Sequence, residues 1–263
     1  MPDPPFPNGA ASDTGAVDTA ISSADGTRLA AHHARPSGTA RTRGVVVCHG
    51  FPTGPRGAVA SASTYPELVD RVARETGCPS LTFNFRGTGT SDGDFSAPGW
   101  AEDIAAAVDA VTEDGAVQSV VLVGVAEGGT FALCAAVDDP RVTAVATLAA
   151  PRSLHELARD PARVLEHARR VGTVRTPDFP PSVSDWGRAL AAVDAEAAAA
   201  RLGERPLMVF HGSDDSVVPP ADARALADAA PTGELRLVAA AGHELRHDPR
   251  VIAGLLGWID RLD

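Results

Sequence analysis

Residues 120–129 read V-V-L-V-G-V-A-E-G-G. The opening run of aliphatic residues has no polar alternation, which is the pattern of a strand buried on both faces. Gly124, Gly128 and Gly129 leave little side-chain bulk around Ala126, and the chain continues into T-F-A-L-C, an apolar segment suited to a helix. Strand, tight glycine-rich turn and helix in direct succession make a βα unit. Working outward, the same pattern recurs. The short apolar runs V-V-V-C, L-T-F-N-F, V-T-A-V-A-T-L, L-M-V-F and L-R-L-V alternate with Ala-rich stretches at helical spacing. This alternation predicts an α/β fold, a mostly parallel twisted sheet with helices on both faces.

Two segments depart from the rhythm. Ahead of it, V-D-T-A-I-S and L-A-A-H-H-A flank the turn signal Asp25-Gly26 and predict an antiparallel hairpin. Between Leu148 and Leu207 no strand-like run occurs, only helical stretches such as P-A-R-V-L-E-H-A-R-R. The expectation is a helical cap inserted over about 151–202, within one domain spanning 17–263. The alanines of D-A-E-A-A-A-A-R-L fit short packed helices. Residues 1–16, rich in Pro, Gly, Asp and Ser, are expected to form a disordered tail.

Composition narrows the function classes. The 263 residues carry a formal charge of −11, from 34 acidic against 23 basic side chains. A surface of that sign repels phosphate backbones, so nucleic acid is not an expected partner. No apolar run approaches the ~20 residues of a membrane span, and the N-terminal segment has neither a basic n-region nor an apolar h-region. Three widely spaced cysteines, Cys48, Cys78 and Cys134, lie in or beside apolar segments, the pattern of reduced thiols. The expectation is a cytoplasmic protein. Every basic residue other than histidine is arginine, which points to a GC-rich, bacterial coding genome.

Chemistry-bearing residues fall at strand ends. A serine at position 126 would complete G-x-S-x-G, the strained strand–turn–helix that exposes a nucleophile above a helix N-terminus. The chain has Ala126, and a methyl group attacks nothing. L-M-V-F runs into H-G-S-D-D-S-V-V-P, a loop with two carboxylates, and L-R-L-V runs into A-A-A-G-H, a loop with a histidine. Upstream, V-V-V-C-H-G-F-P puts His49-Gly50 directly after an early strand, where a backbone N–H can face a developing negative charge. Blander roles exist for each: Asp214 and Asp215 can shape a turn, His243 can bond to backbone, and His49 can steady its own loop. His32, His33, His155 and His167 show no ligand-like pattern and read as surface residues. Cys48 reads as a buried strand-end thiol.

Taken together in this order, the segments resemble the α/β-hydrolase fold family, of the serine-esterase or dienelactone-hydrolase type, from about Val17 onward. H-G-F-P is similar to that family's oxyanion loop, N-F-R-G-T-G-T-S to its arginine–glycine loop, and H-G-S-D-D-S-V-V-P to its acid loop. The resemblance implies Asp215 as the acid, by the spacing H-G-x-x-D, His243 as the base, and the backbone N–H groups of Phe51 and Glu127 as oxyanion donors. The nucleophile would stand at Ala126. It implies no cofactor and no metal, and a small acyl or ester-type molecule as the ligand. Three readings follow: a serine hydrolase whose nucleophile has been replaced, a pseudohydrolase that binds a ligand or partner, or a hydrolase-fold enzyme using His243 or Asp215 in other chemistry.

One motif competes. His243 to His247 spell H-E-L-R-H, a match to the zinc-binding H-E-x-x-H. That chemistry needs both histidines one turn apart on a helix. Asp248-Pro249 has the form of an N-cap followed by proline at the first helical position, which predicts a helix starting after His247. Aromatic residues make up only 5% of the chain, so no stacking platform is expected.

Overall fold

A computed structural model describes residues 15–52 and 64–262. The expected disordered tail falls, but for its last two residues, outside the described residues. Among these, eight strands form one sheet: β1 (Val17–Ser22), β2 (Arg28–Ala34), β3 (Arg43–Cys48), β4 (Ser80–Phe83), β5 (Ser119–Val125), β6 (Val142–Leu148), β7 (Leu207–Gly212) and β8 (Gly233–Val238). Their spatial order is β1-β2-β4-β3-β5-β6-β7-β8. The expected hairpin is present, with β1 antiparallel to β2 and β2 antiparallel to β4, and the rest of the sheet is parallel.

Side chains alternate across this sheet. Val46 and Leu122 point into an apolar layer under α2 (Ala97–Thr112) and α3 (Glu127–Asp138). Val45, Val47, Val121 and Val123 point into the opposite layer under α1 (Tyr65–Thr76) and the C-terminal helix. Burial on both faces explains why these strands read as unbroken apolar runs rather than alternating ones. Helix α1 has the complementary pattern: Leu68, Val69, Val72 and Ala73 are buried, and Gly77 ends the helix in the left-handed conformation at φ 71°.

Between β6 and β7 the chain is helical: α4 (His155–Ala158), α5 (Pro161–Val171), α6 (Val183–Ala191) and α7 (Ala195–Ala199). Their starts are written locally. Asp160, Ser182 and Asp194 each cap an N-terminus by accepting a backbone N–H three residues on. Leu165, Ala168, Trp186 and Leu190 bury the inner face of this segment in the layer of α2 and α3. The Trp186 indole donates to the Phe95 carbonyl at 3.0 Å, fastening α6 to the loop before α2. Beyond β7 come α8 (Pro220–Ala229), a single 3-10 turn at Leu245–His247, and α9 (Pro249–Arg261).

The topology already locates a crevice. The chain leaves β3 for β4 on one side and then crosses back to β5 on the other, so the loops after β3 and β5 diverge. In open α/β sheets a ligand sits at such a switch point, outside the carboxyl ends of the strands. The loops after β7 and β8 open on that same edge.

Candidate active site

The turn after β5 is strained. Ala126 has φ 48° and ψ −128°, a region that residues with a Cβ avoid. It is held from both sides, its N–H donating to the Leu148 carbonyl at 2.9 Å and its carbonyl accepting from Gly129 N–H at 2.9 Å. Two glycines make the turn possible. A Cβ on Gly124 would lie 2.2 Å from Gly129 Cα, and one on Gly128 would lie 2.3 Å from the His49 carbonyl oxygen. Helix α3 therefore starts in contact with both its own strand and the loop after β3.

That loop is organised by His49, which is fully buried. Its Nδ1 lies 2.7 Å from the Gly50 carbonyl, and its Nε2 accepts the Phe85 N–H at 3.2 Å. An accepting Nε2 makes Nδ1–H the donor, so the ring is the neutral tautomer. Burial is the main cause of a pKa depressed to about 4, with the nearby Arg246 charge acting in the same direction and the Gly50 bond opposing it. His49 thus braces the loop after β3 and is neutral near pH 7.

Asp215 and His243 are brought together across two loops. His243 Nδ1 lies 2.9 Å from Asp215 Oδ2. The other carboxylate oxygen accepts Val217 N–H at 2.8 Å and Val218 N–H at 3.0 Å. Burial would raise the Asp215 pKa, but these N–H bonds and His243 outweigh it and hold the carboxyl below its ordinary value. An ionised Asp215 fixes the proton on His243 Nδ1 and leaves Nε2 as the basic nitrogen. Asp214 is exposed and accepts only the Ser213 hydroxyl, at 2.6 Å.

Sequence reasoning passed over His211. Its ring is fully buried, with Nε2 2.9 Å from the Val218 carbonyl and 3.3 Å from Asp215 Oδ2. It backs the carboxylate from beneath, and its spacing of four residues from Asp215 was the available signal. The H-E-L-R-H stretch has no zinc-binding geometry: His243 lies in a loop, His247 ends the 3-10 turn, and Asp248 caps α9 by accepting Arg250 N–H at 2.8 Å. Among the described residues no group of three His, Cys, Asp or Glu side chains is arranged to hold a metal ion. Arg246 lies over the Tyr65 ring at 5.8 Å, a packing role for the middle of that motif. Cys48 is fully buried, which pushes its thiol far above the ordinary range and rules it out as a substitute nucleophile. Of the histidines read as surface residues, His155 is exposed, whereas His32, His33 and His167 are partly buried.

A family model described as the alpha/beta hydrolase fold matches residues 44–202. The chain belongs to the α/β-hydrolase family. Solved structures agree on the fold. An esterase from Pyrococcus furiosus is 17% identical, with 98% of this chain and 97% of that chain covered at a TM-score of 0.69. The α/β hydrolase GrgF from Penicillium is 20% identical, with 94% and 98% covered at 0.71. Est1E from Butyrivibrio proteoclasticus, solved with ferulic acid bound, is 19% identical, with 91% and 96% covered at 0.68. No curated protein sequence matches the chain significantly.

On this hydrolase scaffold a cavity of about 710 Å³ opens between the loop after β3 and α5. Phe51, Phe95, Trp100 and Phe131 line it on the sheet side, Glu127 reaches it from the elbow, and His167 faces them from α5. The low aromatic content misled: Phe51 and Phe95 rings are 4.9 Å apart, Phe95 and Trp100 4.8 Å, and Trp100 stacks on Phe85 at 4.1 Å. Phe51, Phe85, Phe95, Trp100 and Phe131 form one cluster of rings, and the expectation of no stacking platform is corrected. His167, expected at the surface, is partly buried with its ring 5.8 Å from Phe51, because nothing local marks the inward face of α5.

Proposed function

We propose that this α/β-hydrolase-family chain has an ester- or acyl-hydrolase-type site for a small-molecule ligand, and that Ala126 leaves it with negligible turnover. The observation that carries the reading is the Asp215–His243 hydrogen bond of 2.9 Å, on the same sheet edge as a strained elbow. A carboxylate that fixes the histidine tautomer is what acyl transfer through a serine needs, and it serves no purpose for a methyl group. Two origins fit: a serine hydrolase whose nucleophile has been replaced by alanine, or a pseudohydrolase that retains the site for binding. We further propose a bacterial, cytoplasmic protein. The free thiols of Cys48, Cys78 and Cys134 fit a reducing compartment, and a chain with arginine but no lysine fits a GC-rich bacterial genome.

The test is Ala126→Ser. Loss of the serine in such enzymes lowers kcat by roughly 10⁶-fold, so restoring it is expected to raise hydrolysis of p-nitrophenyl acetate at least ~10³-fold. A fluorophosphonate should label residue 126 covalently, as read by peptide mass spectrometry. Adding Asp215→Asn should remove most of the gain, roughly 10³–10⁴-fold, by releasing the histidine tautomer. A folded Ala126→Ser protein that is neither active nor labelled, and stays so when Glu127 is also replaced by alanine, overturns the reading.

A further inference from the structure

The two N–H groups assigned to the oxyanion hole belong to Phe51 and Glu127, and the first of them is taken. Glu127 Oε2 accepts the Phe51 N–H at 2.9 Å. The carboxylate lies flat against the oxyanion loop: a Cβ on Gly50 would sit 3.3 Å from the same oxygen. Glu127 is also the first residue of α3, where unpaired N–H groups and the helix dipole favour negative charge. Its second oxygen has no hydrogen-bond partner among the described residues. The side chain lines the aromatic cavity, where a bound ligand meets it.

The consequence is electrostatic. A ligand carboxylate, or the oxyanion of an acyl intermediate, would have to displace the Glu127 carboxylate or meet it at contact distance in a half-buried site. A hydrogen bond to a charged group is the stronger kind, and like charges at such range repel strongly. A neutral ligand with an N–H or O–H meets the opposite situation, a carboxylate oxygen ready to accept. Its apolar body would rest on Phe95, Trp100 and Phe131.

Resting on the reading of this site as ester-hydrolase-type, we propose that Glu127 sets ligand class: its carboxylate closes the oxyanion position and selects uncharged aromatic ligands carrying a hydrogen-bond donor over carboxylates. The amide and the acid of one ring system separate these classes. By isothermal titration, the chain as it stands is expected to bind phenylacetamide at least ~10-fold more tightly than phenylacetate. Glu127→Gln removes the charge but keeps an acceptor for Phe51 N–H, and should narrow that ratio. Glu127→Ala removes both and should abolish it, with phenylacetate binding gaining about 10-fold. An unchanged ratio in both variants, tighter phenylacetate binding by the unsubstituted chain, or no binding of either probe overturns the proposal.

A second pair separates this failure from failure of the hydrolase reading. Comparing Ala126→Ser with Ala126→Ser/Glu127→Ala, the fluorophosphonate labelling rate should rise at least ~10-fold once the hole is open. Equal labelling of both overturns the role of Glu127 alone. Labelling of neither overturns the hydrolase reading, and the titration ratio still judges Glu127.

Discussion

Ala126 holds a backbone conformation that residues with a Cβ avoid. A non-glycine residue at φ 48° carries about 1–3 kcal/mol of strain, sustained here by the hydrogen bonds that fix it from Leu148 and Gly129. Relieving the strain should offset what glycine loses in entropy, about 0.4–1 kcal/mol, and the small burial of one methyl. Ala126→Gly is therefore expected to leave stability unchanged or raise it by up to about 1 kcal/mol in urea denaturation. Ala132→Gly, buried in the regular part of α3, should instead lose about 1 kcal/mol or more. A loss at position 126 as large as that at 132 would show that the turn is unstrained. At this scale the position of the tight turn was legible, because a Cβ at Gly124 or Gly128 would collide with neighbouring backbone. The Glu127 side chain was not. Its hydrogen bond to Phe51 spans 76 residues and has no local signature.

Among elements, the site depends on how loops are braced at the carboxyl edge of the sheet. His49 ties the loop after β3 to the loop after β4 through the Phe85 N–H, and it does so only while neutral. Its folded pKa, about 4, lies below the ordinary histidine value, so the folded state resists protonation. The stability it contributes is complete above pH ~6.5 and is lost as pH falls through that window toward 4, amounting to about 3 kcal/mol. His49→Asn should be less stable at pH 7 but show a flatter melting temperature between pH 6.5 and 4. Parallel slopes for the two proteins would remove His49 from this role. His32 titrates in the other sense. Burial opposes its charge, but Asp18 and Asp70 at 2.7 and 2.9 Å outweigh that and raise its pKa, so its contribution fades as pH rises.

Over the whole molecule, one buried cation joins three parts of the chain. Arg86 donates to the fully buried Asp103 on α2, with bonds of 3.0 and 2.8 Å, to Asp25 at 2.8 Å and to Ser23 at 3.0 Å in the hairpin turn. Arg86→Met leaves the Asp103 carboxylate without its counter-charge and should lower stability by about 3–5 kcal/mol. The double variant Arg86→Met/Asp103→Leu should recover most of that loss. Measured by urea denaturation, equal losses in the single and double variants would mean that packing, not the buried charge, dominates. This network, which Glu102 completes at 3.1 Å, lies behind the N-F-R-G-T-G-T-S segment, whose arginine was visible in the sequence while its four side-chain partners were not.

The βα order, the hairpin, the helical stretch between β6 and β7, and the strand ends at which Ala126, Asp215 and His243 stand are all encoded locally in the chain. Those features are written in apolar periodicity, glycine placement and capping residues, all of which act over a few positions. The packing of distant βα units decided that His211 supports the Asp215–His243 pair and that Glu127 lies on the Phe51 amide. It also decided that a chain poor in aromatics would gather Phe51, Phe95, Trp100 and Phe131 around one cavity. Each of these is a contact between residues from different βα units. The crossover at β3 and β5 brings them to one edge, and no local pattern encodes which side chains will meet there.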